Sequence, residues 1–125
     1  MAGPFVYLTI PPRKYDAPFL QINISFGGRT EPILALIDSG ADGSVIPKRI
    51  VDSLSLQRTS DETVQISGET EPSHYYLADI AFAGNVIVGY PLASVRKRKY
   101  AVIGQDLLLR YNVSLNGPSL SFTIE

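Results

Sequence analysis

The stretch Pro32-Ile33-Leu34-Ala35-Leu36-Ile37-Asp38-Ser39-Gly40-Ala41-Asp42-Gly43 decides how this chain is read. Its first half is apolar almost without interruption, as expected of a strand buried on both faces. It then ends on a carboxylate. Burying an unpaired charge is costly, and local conflicts of this kind concentrate at functional sites. Asp-Ser-Gly is also good turn chemistry, so the tripeptide by itself leaves a plain turn and a reactive carboxylate both open.

Working outward, Leu20, Ile22, Ile24 and Phe26 alternate with Gln21, Asn23 and Ser25, the period of a strand with one apolar face. Gly27-Gly28 follows as a turn dipeptide, so the two segments predict a hairpin. Residues 5–10 predict another strand, stopped by Pro11-Pro12. Downstream, Ile46, Ile50, Val51 and Leu54 fall at helical spacing and predict a short helix over 47–54, starting on Pro47. Residues 64–66, then Gly68, then 75–82 predict a hairpin with a long polar tip, and 85–90 a further strand. Arg96-Lys97-Arg98-Lys99 forms a basic loop, and Val102-Ile103-Gly104 precedes a short helical stretch over 105–110. Segments 111–115 and 119–124 flank Asn116-Gly117-Pro118, in which Asn-Gly signals a tight hairpin. No repeat or linker interrupts the chain, which predicts one mainly all-β domain over 1–125 with one or two short helices.

Bulk properties narrow the chemistry. The 125 residues are 45% apolar and 18% charged, the balance of a packed globule. A net charge of −1 points to neither nucleic acid nor an anionic membrane as partner. There is no Cys, which excludes disulfides, thiolate metal sites and Cys nucleophiles together. His74 is the only histidine, so one chain can build neither a His-based triad nor a zinc-histidine cluster, and no metal or cofactor is expected. Met1-Ala2-Gly3-Pro4-Phe5 lacks the basic start of a secretory leader, and no apolar run approaches the roughly 20 residues of a membrane helix. A cytoplasmic protein is the expectation.

The string Leu36-Ile37-Asp38-Ser39-Gly40-Ala41-Asp42-Gly43 resembles the catalytic signature of retroviral-type aspartic peptidases: two apolar residues, then Asp, Ser or Thr, Gly and Ala. Ile103-Gly104-Gln105-Asp106-Leu107-Leu108 looks like that family's helix motif near the C-terminus, and Ile66-Ser67-Gly68 falls at a spacing similar to its flap tip. The resemblance implies the retropepsin-like fold, closed barrel-like sheets in a two-fold dimer, and a peptide or protein substrate. It assigns catalysis to Asp38, Ser39 and Gly40, with Ser39 hydrogen-bonding across the dimer and Gly40 allowing a tight turn. It places Leu36, Ala41, Asp42, Gly43, Ile66, Ser67, Gly68, Tyr100 and Val102 against substrate. Gln105 stands where the family often has Arg, which removes a charge-assisted contact to Asp42, and the added C-terminal hairpin is expected to alter the dimer interface.

Peptide hydrolysis of this type needs two carboxylates sharing one proton around a water. At about 3 Å apart both cannot ionise, so one serves as base and the other as acid. Asp-Ser-Gly occurs once in this chain. A second copy, related by a two-fold axis, must therefore supply the other carboxylate. The rival expectation is a peptide-binding or dimerisation module on the same fold, catalytically weak or inactive.

Overall fold

The structure, a computed structural model, describes residues 2–125, the side chain of Ala2 excepted. Met1, the first residue of the stretch read for a leader, lies outside them. The hairpin predicted around Gly27-Gly28 forms, with β2 (Phe19–Phe26) and β3 (Arg29–Ile37) paired antiparallel from Phe26–Arg29 back to Phe19–Leu36. Both glycines have positive φ, 59° and 79°, which a two-residue turn matched to strand twist requires. A Cβ on either would meet nothing within 4 Å, so the requirement is one of backbone conformation and not of space.

The apolar run of β3 has a structural cause. Ile33, Ala35 and Ile37 enter the main apolar cluster, while Leu36 enters a second one and Leu34 packs against it. The strand separates two cores, so both its faces need apolar residues. Its end pairs in parallel with β7 (Ala101–Ile103), aligning Ile37 with Ile103 and Leu36 with Val102. With β4 (Val45–Pro47), β5 (Tyr75–Phe82) and β6 (Asn85–Val95), these strands close a barrel in the order β2-β3-β7-β4-β6-β5.

The predicted first helix appears as α1 (Lys48–Leu54), burying Ile50, Val51 and Leu54. Pro47 stands just outside it, extended at φ −62° and ψ 144°, and closes β4. The second helix, α2 (Gln105–Leu108), is shorter than the 105–110 expected.

Three expectations are corrected. Strand β5 pairs along its length with β6 through the tight turn Ala83-Gly84, and not with residues 64–66; Val64 makes only an isolated bridge to Ser73. The polar run between them lacks the alternating apolar residues that would extend a ladder. Strand β6 continues past Tyr90 to Val95, because its second half pairs in parallel with β4 and buries Leu92, Ala93 and Val95. A register shift at Asp79, whose carboxylate accepts the Gly89 N–H at 2.8 Å, carries the ladder past Pro91. Finally, the C-terminal hairpin of β8 (Val113–Asn116) and β9 (Ser121–Ile124) closes at Asn116–Ser121, around residues 117–120. A two-residue Asn-Gly turn would need an N–H from Pro118, which has none.

Strand β1 (Ala2–Val6) pairs with β9, giving a separate three-stranded sheet in the order β1-β9-β8. Phe122 and Ile124 of this sheet are buried in the main cluster, with Phe5 stacked 5.3 Å from Phe122. Residues 2–6 and 113–124 are thus held on one three-stranded sheet.

Candidate active site

Asp38 leaves β3 at the point where its N–H donates to the Ile103 carbonyl at 3.0 Å. The chain then turns tightly. The Asp38 carboxylate accepts the Gly40 N–H at 2.9 Å, and the Asp38 carbonyl accepts the Ala41 N–H at 3.2 Å. A Cβ on residue 40 would sit 3.2 Å from that carboxylate oxygen, so glycine here keeps the space beside the acid clear. Asp38 is half-buried while Ser39 and Gly40 are exposed. The acid therefore reaches the surface, which relieves the conflict posed by its apolar strand. Ser39 lines an apolar groove with Ile37, Leu108, Tyr111, Val113 and Leu115.

Helix α2 clamps the next residues from behind. A Cβ on Gly104 would lie 2.7 Å from the Ala41 carbonyl oxygen and 2.9 Å from the backbone of Gly43, so no side chain fits. Gln105 N–H donates to the Ala41 carbonyl at 2.8 Å and Asp106 N–H to the Asp42 carbonyl at 3.1 Å. These are main-chain bonds and do not depend on the side chain of Gln105.

Asp106 completes the clamp. One of its oxygens accepts the Ser44 hydroxyl at 2.8 Å, and the other accepts the Ser44 N–H at 3.1 Å and the Tyr90 hydroxyl at 2.8 Å. Ser44, only 3% exposed, also accepts the Gly104 N–H at 3.0 Å. Burial first, then the hydrogen bond to Asp106 and its negative charge, push the Tyr90 hydroxyl up to about 12, against the opposing charge of Arg110. Ser44, Tyr90 and Asp106 went unrecognised in the sequence. The only available signal was the carboxylate directly inside the helix motif.

In front of the clamp lies a cleft of about 380 Å³, lined by Gly40, Ala41, Asp42 and Gly43 on one side and residues 64–67 on the other. Val45, Val95 and Val102 form its floor, with Tyr75 and Arg98 also on its wall. The covering segment turns at 66–69, where Glu69 N–H donates to the Ile66 carbonyl at 3.0 Å and Gly68 has φ 85°. Its base is the Val64–Ser73 bridge, two backbone bonds of 2.8 Å each, backed by the buried Ser73–Ser94 hydroxyl pair at 2.9 Å. The Glu69 carboxylate accepts the backbone N–H groups of Arg96 and Lys97, mooring the turn to the basic loop.

The cleft brings together Gly40, Ala41, Asp42, Gly43, Ile66, Ser67 and Val102. Ser39 lies on the neighbouring groove, Asp38 lines neither that groove nor the cleft, and Gly68 stands at the turn tip without lining the cleft. Leu36 is buried in the second cluster, beside Val102 on the neighbouring strand. Tyr100 packs edge-on against Phe19 at 5.0 Å and lines a different groove with Ile10 and Leu34.

Residues 22–113 match the family model described as aspartyl protease. The Gag-Pro and Gag-Pro-Pol polyproteins of Human T-cell leukemia virus 2 are each 31% identical over 107 residues, 79% of this chain. The chain spans only 17% and 7% of their respective lengths. A retropepsin-like aspartic protease from Rickettsia conorii superposes with a TM-score of 0.61 at 13% identity, covering 99% of this chain and 92% of that one. EIAV protease, complexed with the inhibitor HBY-793, superposes with a TM-score of 0.58 at 19% identity, covering 82% and 93%. At such identities the two structures establish a shared fold.

Proposed function

The chain belongs to the aspartyl protease family, and on that premise we propose that it is an endopeptidase acting as a homodimer, with Asp38 of each copy forming one catalytic dyad. The observation that carries this is the single Asp38-Ser39-Gly40 turn, anchored by the Asp38 N–H to Ile103 and followed by residues 41–44, which α2 holds from behind and of which 41–43 line a cleft in front. One carboxylate cannot be both acid and base in the same step. Two of them about 3 Å apart retain one proton between them. The ionised one takes a proton from the attacking water, and the protonated one donates to the scissile carbonyl oxygen. The apparent pKa values then belong to the pair.

The groove lined by Ser39, Leu108, Val113 and Leu115 supports the same reading. Leu115 is 60% exposed although it sits on the face of its sheet that carries the buried Phe122. A second copy placed so that the two Asp38 side chains meet would cover this apolar surface. A substrate segment would lie extended in the cleft. Asp42 and Gly43 would meet its backbone, and residues 66–68 would cover it and exclude water.

The test combines activity with oligomeric state. Asp38→Asn should lower kcat for a cleavable peptide by about 10³-fold or more while the melting temperature stays unchanged. Wild-type activity should fall with dilution in step with dimer loss followed by sedimentation, and pepstatin should inhibit it. Peptide binding without hydrolysis, in a verified dimer, would instead identify a binding module on this fold.

A further inference from the structure

The four consecutive cations at 96–99 have unequal surroundings. Arg96 is engaged: its guanidinium pairs with Glu71 at 3.7 Å, and its N–H, with that of Lys97, is taken by Glu69. Lys97, Arg98 and Lys99 all line a neighbouring groove with Pro11, Pro12 and Tyr100. Arg98 alone of the four also lines the cleft in front of the active-site turn. Among the described residues no carboxylate stands within ion-pair distance of it. Both acidic groups of the covering segment, Glu69 and Glu71, are spent on the loop's first two residues. Their contacts hold the loop against the cleft and leave its third cation uncompensated.

We propose that Arg98 is a specificity-determining residue that selects peptide substrates carrying an Asp or Glu at one position near the scissile bond. This rests on reading the cleft as the peptide site. A guanidinium presents planar donors that match a carboxylate in a paired, bidentate geometry. Arg98 is exposed at the cleft edge, whose lining mixes Val45, Val64, Ile66, Val95 and Val102 with Gln65 and Ser67, so a carboxylate of a bound peptide can reach it from the cleft. The one carboxylate lining the same cleft is Asp42, on the active-site turn. Its like charge disfavours an acidic side chain placed next to it, which restricts the selection to the register position facing Arg98. Because an extended peptide sends alternate side chains to opposite faces, a shift of one residue removes the contact.

The test uses a set of matched peptides with Glu, Gln or Lys at each position around the cleaved bond. Hydrolysis by wild-type protein is compared with binding to Asp38→Asn by fluorescence anisotropy, so that selection is read with and without turnover. At one position Glu should exceed Gln by about tenfold in kcat/KM and in affinity, the scale of one charge-assisted hydrogen bond. The ratio should shrink at high salt and as pH falls through the peptide glutamate's value of about 4.3. Arg98→Gln should bring it to about one, Arg98→Glu should reverse it in favour of Lys, and Lys99→Gln should leave it in place. Equal handling of Glu and Gln at every position, or a ratio that survives Arg98→Gln, overturns the proposal even if hydrolysis is vigorous. Arg98-dependent binding without hydrolysis upholds it while removing the endopeptidase reading. Absence of peptide binding by Asp38→Asn overturns it.

Discussion

The two walls of the cleft are held in opposite ways. Residues 38–44 are fastened along their whole length: by Ile103 at the entry, by Gly104 and Gln105 in the middle, and by Asp106 at Ser44. Residues 64–73 have one backbone bridge at the base, the Ser73–Ser94 hydroxyl pair behind it, and side-chain contacts of Glu69 and Glu71 to the basic loop. On the proposed endopeptidase reading, the first wall presents an acid whose position must be reproducible to a fraction of an ångström for proton transfer. On the same reading the second lets a peptide in and then covers it, which calls for locally reversible contacts.

The contrast breaks most severely at Gly104. Gly104→Ala places a Cβ against backbone atoms that cannot rotate away, and should cost about 3 kcal/mol in urea unfolding, with loss of activity beyond what unfolding explains. Asp106→Asn keeps the shape but weakens the charge-assisted bonds to Ser44 and Tyr90. It should cost about 1–2 kcal/mol and reduce kcat more than it raises KM, since it loosens the acid and not the covering segment.

Tyr90 adds a pH signature to the same clamp. Its folded value is raised, to about 12 against 10 when unfolded, so the neutral phenol is favoured by folding. The stability it confers is whole below pH 10 and is lost as pH rises through about 12. Urea midpoints of wild type should therefore fall toward those of Tyr90→Phe between pH 10 and 12, whereas a constant gap would remove the Tyr90–Asp106 bond from the clamp. The smallest effect belongs to the other wall. Glu69→Gln retains an acceptor but not the charge, and should raise KM by roughly threefold with faster amide exchange confined to residues 64–73.

The parts of this layout that were legible in the sequence are those made by neighbours in the chain. Alternation at 20–26, the Gly27-Gly28 turn and the apolar run into Asp38 predict β2 and β3 from spacing alone, while the candidate acid follows from the family resemblance of 36–43. The segment 64–73 is not legible in the same way, because a short loop and a long hairpin share the same glycine and polar residues. Only the partner of β5 distinguishes them, and that partner is β6. The clamp was invisible for a related reason: Ser44 and Asp106 are 62 residues apart, and neither type of residue signals burial or pairing when read in its own segment.

What the residues determine without help is local and countable: a carboxylate at the end of a strand buried on both faces, and a single Asp-Ser-Gly motif. Short-range sterics and hydrophobic period dictate the first, and arithmetic the second. The tertiary structure alone decided that α2 packs on the active-site turn closely enough to require Gly104, that β1 and β9 pair within one chain, and that Arg98 rather than its three basic neighbours faces the cleft. Each of these is a distance between segments far apart in sequence. Such distances are set by how the closed barrel packs, and no single segment contains that information.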